Sequence, residues 1–279
     1  MGYSQTYRTS AVGLSAKYLA LLLVALVMLG PLLWMLRVAL LPQGASLSFE
    51  SLGGGVFTME SFRGLFVNYG IWRSLFNSLL VGATVTAANV AFCFMVGYAL
   101  SRKRFVGSKA LFSLALITLM VPAHILIVPL YLILRQAGLF DTYLALILPF
   151  AVTPIGIFMV KQYLDGVPLS LEEAARVDGA GEMRLLWGVL APVCRPILAV
   201  LAIQTFLVNW NSFLFPFILT SSSDLRTLPV ALALMQGHQA IDWQSLMAGS
   251  TLAVAPVLIV FLIFQRRIVS GITAGAIKQ

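Results

Sequence analysis

The chain has 279 residues, 60% hydrophobic and 10% charged, with a net charge of +8 at pH 7 and a mean hydropathy of +0.95. A soluble domain carries about a quarter charged residues to hydrate its surface, so this composition excludes a soluble enzyme or binding module and makes the bilayer the fitting solvent. The basic residues sit between long apolar runs, which favours membrane orientation over a nucleic-acid partner.

A membrane-spanning helix needs about 20 predominantly apolar residues to cross roughly 30 Å of hydrocarbon. Six stretches qualify, at about 18–37, 75–100, 112–134, 143–163, 196–219 and 247–265. The first, from Tyr18 to Trp34, is flanked by Arg8 and Lys17 and is followed by no small-residue cleavage site, so it reads as an uncleaved anchor. The chain is thus expected to be an all-α membrane protein with six transmembrane helices in a single domain, 1–279.

Lys and Arg set the orientation. With the N-terminus inside, Arg8, Lys17, Arg102, Lys103, Arg104, Lys109, Lys161, Arg176, Arg184, Arg195, Arg266, Arg267 and Lys278 are cytoplasmic, and only Arg37, Arg63, Arg73, Arg135 and Arg226 lie outside. Both termini are therefore predicted to be cytoplasmic, and the loops near 38–74, 135–142 and 220–246 to face outward.

None of the ten acids falls within a predicted span. Ion-coupled transporters place a carboxylate inside the membrane, because its ionisation does the coupling. That absence disfavours a secondary transporter or channel subunit working without ATP. No phosphate-binding P-loop and no H-E-x-x-H motif occurs, and Cys93 and Cys194 suggest neither a disulfide nor a metal site. A membrane enzyme has no catalytic grouping to rest on, and no cofactor is expected on this chain.

Five acids gather between Asp165 and Glu182, in the predicted cytoplasmic connection of about 165–192. Ser170 and Glu173 have capping-box spacing, which predicts a helix start. Ala174 and Ala175 keep that helix slim, and Gly179 suits the left-handed residue that ends it. A second helix should run toward Pro192. The plain reading is a solvated connector. The arrangement of small residues flanked by Glu173 and Asp178 points instead to a docking knob for a partner with a basic-rimmed cleft.

Here the sequence resembles the EAA motif of bacterial ABC importer permeases. Glu173-Ala-Ala-x-x-x-Gly179 is followed, nine residues on, by Val189-Leu-Ala-Pro192. Asp178-Gly-Ala180 is the filling usual in the carbohydrate group, while Val189 and Ala191 depart from the I-x-L-P pattern. Asn77-Ser78, Tyr98 to Arg102, Pro122, Pro129, Trp210-Asn211-x-Phe213, Pro216 and the tail from Gln265 through Gly271, Gly275 and Lys278 are similar to maltose-type permeases.

The resemblance implies an ABC type I importer permease fold in the bacterial plasma membrane. It also implies a second, homologous permease subunit, two ATPase subunits that bind ATP and Mg, and an external solute-binding protein. Glu173, Ala174, Ala175, Asp178 and Gly179 would enter the ATPase cleft. The cytoplasmic tail of about 266–279, with Gly275, Lys278 and Gln279, would insert between the ATPases. The loop from Ser221 to Trp243 would meet the binding protein. A non-sugar solute fits the motif less well.

Polar side chains in lipid need partners. Asn89, His124, Gln204, Asn209 and Asn211 are the candidates for contact with solute hydroxyls along a substrate pathway, and each could equally be interhelical glue or a partner for carbonyls freed by proline. Trp210 could stack on a sugar ring or serve as an interfacial anchor. Gly97 and Ala99 read as packing points.

Overall fold

The structure is a computed structural model that describes residues 11–48, 53–54, 56–236 and 241–276. Lipid cannot satisfy backbone N–H and C=O groups, so apolar runs of this length close their hydrogen bonds internally as helices. The described residues contain helices and connections and no strand.

The helices used below are α1 (Ala11–Ala39), α2 (Glu60–Asn68), α3 (Ile71–Arg102), α4 (Ser108–Thr118), α5 (Ile127–Gln136), α6 (Tyr143–Ile147), α7 (Pro154–Asp165), α8 (Ser170–Val177), α9 (Arg195–Trp210), α10 (Leu214–Leu219), α11 (Leu228–Met235) and α12 (Trp243–Ala276). The chain divides into two compact units. One comprises 1–69 with 235–254, and the other 70–234 with 255–279. In the first, Val38, Ala39, Leu41 and Leu65 are buried. There the Gln244 amide donates to the Ala45 carbonyl at 2.8 Å.

Four helical stretches among the described residues are long and apolar enough to span a bilayer: Lys17–Ala39, Ile71–Arg102, Tyr143–Asp165 and Trp243–Phe264. The third and fifth predicted runs depart from single straight spans. Ser108–Thr118 and Ala123–Gln136 meet at 97°; Pro122, at the break, has no N–H for the carbonyl one turn back. Glu182–Val193 and Arg195–Trp210 meet at 83°. The run predicted to continue to 219 also stops at Trp210. The Asn211 amide folds back onto the Leu207 carbonyl at 2.8 Å, and Pro216 cannot donate to Ser212.

In the second unit α3 is the central element, packed along α7 and α9. The contact is close because the residues at the crossings are small. A methyl on Gly97 would lie 2.6 Å from Val160 Cγ1, and one on Gly156 would lie 2.7 Å from Cys93 Sγ. Two apolar clusters form along α3. Val81 and Val85 join Ile127, Leu134, Leu146, Phe215 and Leu219. Cys93, Phe94 and Tyr98 join Val160, Leu164, Leu185, Leu190 and Leu201.

Candidate functional site

The segment from Asp165 to Glu182 folds as the sequence predicts in outline, with one correction. Helix α8 begins at Ser170, but no Ser170–Glu173 capping box forms. Its first turn starts earlier: the Glu172 N–H donates to the Leu169 carbonyl at 2.9 Å, and the Glu173 N–H donates to the same carbonyl at 3.0 Å. Pro168 presets the chain for that turn.

The far end follows the glycine rule. Gly179 has φ +77°, its N–H donates to the Arg176 carbonyl at 3.0 Å, and the Ala180 N–H donates to the Ala175 carbonyl at 2.9 Å. This is a Schellman closure. A second helical run, Glu182–Val193, carries a π-turn at Leu185–Leu190.

Glu173, Ala174, Asp178 and Gly179 are exposed, and Ala175 is half-buried against the neighbouring apolar cluster. Leu171 and Val177 of α8 are also exposed, Val177 at 88%, as are Leu169 just before it and Met183 at the start of the next helical run. A slim helix therefore presents apolar and acidic groups together.

The opposite face is fastened to the end of α3. Arg102 Nε donates to Glu172 Oε1 at 2.5 Å, both side chains being buried, and Arg102 Nη2 donates to the Val167 carbonyl at 2.7 Å. Glu182 accepts from Lys103 at 2.7 Å, from the Tyr98 hydroxyl at 2.8 Å and from Arg176 at 2.8 Å. Those donors, Lys103 foremost, hold the Glu182 carboxyl down to about 2, so it stays charged at neutral pH. Asp165 accepts from Ser101 and from Lys161, each at 2.6 Å.

These partners were missed in the sequence, where Arg102 and Lys103 read as orientation signals and Arg102 also as the end of the Tyr98 to Arg102 stretch. The available signal was complementarity: a basic helix end and an acidic connection assigned to one side of the membrane.

The predicted pathway residues divide. Asn89 is fully buried and its amide is committed. It donates to the Phe150 carbonyl at 3.0 Å and to Thr153 Oγ1 at 3.2 Å, and it accepts from the Thr205 hydroxyl at 3.3 Å. Asn89 joins α3 to the α6–α7 connection and to α9, the interhelical role that was its alternative to solute contact. Trp210 is 2% exposed and stacks on Phe206 with centroids 5.8 Å apart, so neither a sugar face nor an interfacial anchor fits it.

His124 is exposed beside Phe215, ring centroids 5.8 Å apart. Gln204 and Asn211 are exposed and Asn209 is half-buried. Asn209 donates to the Thr205 carbonyl of its own helix at 2.9 Å. Asn209 also lines a cleft with Ser78, Ser212, Thr227, Phe150 and Pro216. The Thr227 hydroxyl is buried there with no hydrogen-bond partner among the described residues.

The segment 219–228 is pinned at several points. Asp141, at φ +59°, accepts from the Ser221 and Ser222 N–H groups at 2.8 and 3.0 Å. The Ser222 N–H foremost lowers its carboxyl below the ordinary range. The Asn77 amide donates to the Asp224 and Arg226 carbonyls at 2.8 and 3.0 Å and accepts from the Tyr143 hydroxyl at 2.6 Å. The Leu228 N–H donates to Ser78 Oγ at 2.7 Å, and Arg73 pairs with Asp224 at 3.0 Å.

In the predicted tail, α12 runs to Ala276 and so includes Gly275 in its backbone. Lys278 and Gln279 lie outside the described residues, as does part of the predicted outer loop, 237–240.

Residues 89–274 match the family model of the binding-protein-dependent transport system inner membrane component. The arabinooligosaccharides transport system permease protein AraQ of Halalkalibacterium halodurans is 36% identical over 240 residues, 86% of this chain and 85% of that protein. The trehalose transport system permease protein SugB of Mycobacterium tuberculosis is 35% identical over 252 residues, 89% of this chain and 92% of that one. The trehalose/maltose transport system permease protein MalG of Thermococcus litoralis is 35% identical over 205 residues, 72% and 74% of the two chains.

In fold, the chain superposes on a chain of a bacterial ABC transporter involved in the import of the acidic polysaccharide alginate. The TM-score is 0.80 at 21% identity, covering 95% of this chain and 99% of that one. The helical architecture and the sequence matches agree: this chain belongs to the permease family that forms the inner-membrane component of binding-protein-dependent ABC transport systems.

Proposed function

We propose that the chain is a carbohydrate-translocating subunit of an ATP-driven importer in the bacterial plasma membrane, with six spans and both termini in the cytoplasm. Counting each bent helix pair as one span brings the number to six, and the distribution of Lys and Arg supports the orientation. The observation that carries the reading is α8 itself. It is a short helix with a Schellman end whose outer face offers Glu173, Ala174, Asp178 and Gly179, while its inner face is held by a buried ion pair.

On this reading α8 seats in a cleft of an ATPase subunit, and Ala175 supports it from behind. ATP and Mg bind in two such ATPase subunits, this chain pairs with a second permease subunit, and an external binding protein delivers the solute. The names of three relatives, covering arabinooligosaccharides, trehalose and maltose, support a saccharide as cargo. His124, Gln204, Asn209 and Asn211 are the polar groups available to hydroxyls along the pathway, and Asn89 holds the helices around it.

The test is uptake into proteoliposomes containing the two permeases and the ATPases, with the binding protein outside and ATP inside. ATP-dependent accumulation of a labelled di- or oligosaccharide is expected. Accumulation of amino acids or metal ions with no response to any saccharide would refute the cargo class. In the same vesicles, ending the chain after Gly275 is expected to lower uptake per ATP hydrolysed severalfold. Unchanged coupling in the truncated chain would rule out an inserted tail contributed by Lys278 and Gln279.

A further inference from the structure

We infer that α3 is a strut linking the ATPase-facing segment to the 219–228 segment at its far end, with Arg102 and Asn77 as the positioning residues at its two ends. The inference rests on the docking role proposed for α8 and adds how motion there would reach the other side.

Three properties of α3 support it. First, both ends hold backbone as well as side chains. Arg102 bonds the Val167 carbonyl and pairs with Glu172, and Asn77 bonds the carbonyls of Asp224 and Arg226. The gripped segments must follow the helix ends, because moving apart would strand buried polar groups.

Second, α3 is one continuous helix of 32 residues without proline, so from Asn77 to Arg102 it advances about 37 Å. The bent pairs around it can flex at their breaks, at 97° and 83°. α3 has no such break. Third, its middle is locked laterally. Gly97 lies against Val160 with no room for a methyl, and Asn89 bonds to groups on two other elements. An axial or tilting displacement of one end is thereby carried to the other rather than absorbed.

The far end is not idle surface. The segment it holds contributes Thr227 to the cleft shared with Ser78 and Asn209. A shift of a few tenths of an ångström at Asn77 moves the Asp224 and Arg226 carbonyls, and with them that wall.

The experiment reads the outer end while changing the nucleotide at the inner end. Ser223 is exposed, and Cys93 and Cys194 are buried, so Ser223→Cys gives this chain a single accessible thiol, and labelling is read on this chain's band. Its rate of maleimide labelling is measured with and without ATP in detergent-solubilised complex of both permeases and both ATPases, in the absence of binding protein. A change of at least fivefold with ATP is expected.

Adding Asn77→Asp removes both N–H donors while keeping size and the acceptor for Tyr143. Adding Arg102→Lys keeps the charge but cannot hold Glu172 and the Val167 carbonyl together. Either change is expected to cut the ATP response, taken as the ratio to each variant's own rate without ATP, to below twofold. A merely local role for Arg102 would leave the response at Ser223→Cys intact. An undiminished response in both variants, or none in the parent complex that still hydrolyses ATP, overturns the strut. If no ATPase accompanies the parent permease, the docking proposal fails, and the strut with it.

Discussion

Glu173→Lys and Gly179→Pro are each expected to abolish solute uptake while the chain still inserts and accumulates in the membrane. Glu173 is exposed and its side chain has no hydrogen bond or ion pair among the described residues, so reversing its charge should alter stability by no more than about 0.5 kcal/mol. In a basic-rimmed cleft the same reversal sets like charges together at a cost of several kcal/mol, and about 3 kcal/mol corresponds to about 100-fold in affinity. Gly179→Pro acts through the backbone. Proline fixes φ near −65°, whereas Gly179 sits at +77°. Proline also removes the N–H that bonds Arg176. The turn that sets the angle between α8 and the next helix is lost. Uptake assays with membrane-fraction blots measure both effects; uptake within twofold of the parent in either variant would show that α8 is only a connector.

Arg102→Met is expected to have the largest effect on stability. It leaves the Glu172 carboxylate, only 7% exposed, charged and without its cation, and it frees the Val167 carbonyl. Breaking a buried pair on one side costs about 3–5 kcal/mol. Replacing both partners by apolar groups of similar volume is far milder. The double variant Arg102→Met with Glu172→Leu should therefore recover most of the lost thermal stability, although α8 would then be held by packing alone. Thermal unfolding in detergent, followed by size-exclusion chromatography, distinguishes the two. Equal losses in the single and double variants would mean that the pair is not the fastening.

Much of this was legible in the sequence. Four of the six apolar runs are single helices long and apolar enough to span, and the other two are bent helix pairs, because lipid forces an apolar run to close its hydrogen bonds as helix. Gly179 declared its positive φ because few other residues tolerate it. What stayed hidden was three-dimensional. Pro122 and Pro129 announced a disturbance, but the sequence does not give the 97° angle between the helices on either side of the break.

Asn89 and Asn209 look alike as polar residues in apolar runs. Only the neighbours show that one is committed to Phe150, Thr153 and Thr205 while the other faces a cleft. Arg102 carried two roles at once. As a charge it entered the predicted orientation, and as a fork of donors it clamps α8, a function that no spacing rule reveals across 70 residues.

The most direct test of the central claim is a cross-link. Ala174→Cys places a single accessible thiol on the outer face of α8, since both native cysteines are buried. In membranes expressing the whole complex, a reagent with a maleimide at one end and a light-activated group at the other, which needs no cysteine on the partner, is expected to join this residue to an ATPase subunit, in a yield that changes with ATP. Labelling of Ala174→Cys only from the extracytoplasmic side, or cross-linking to no nucleotide-hydrolysing subunit, would contradict the account.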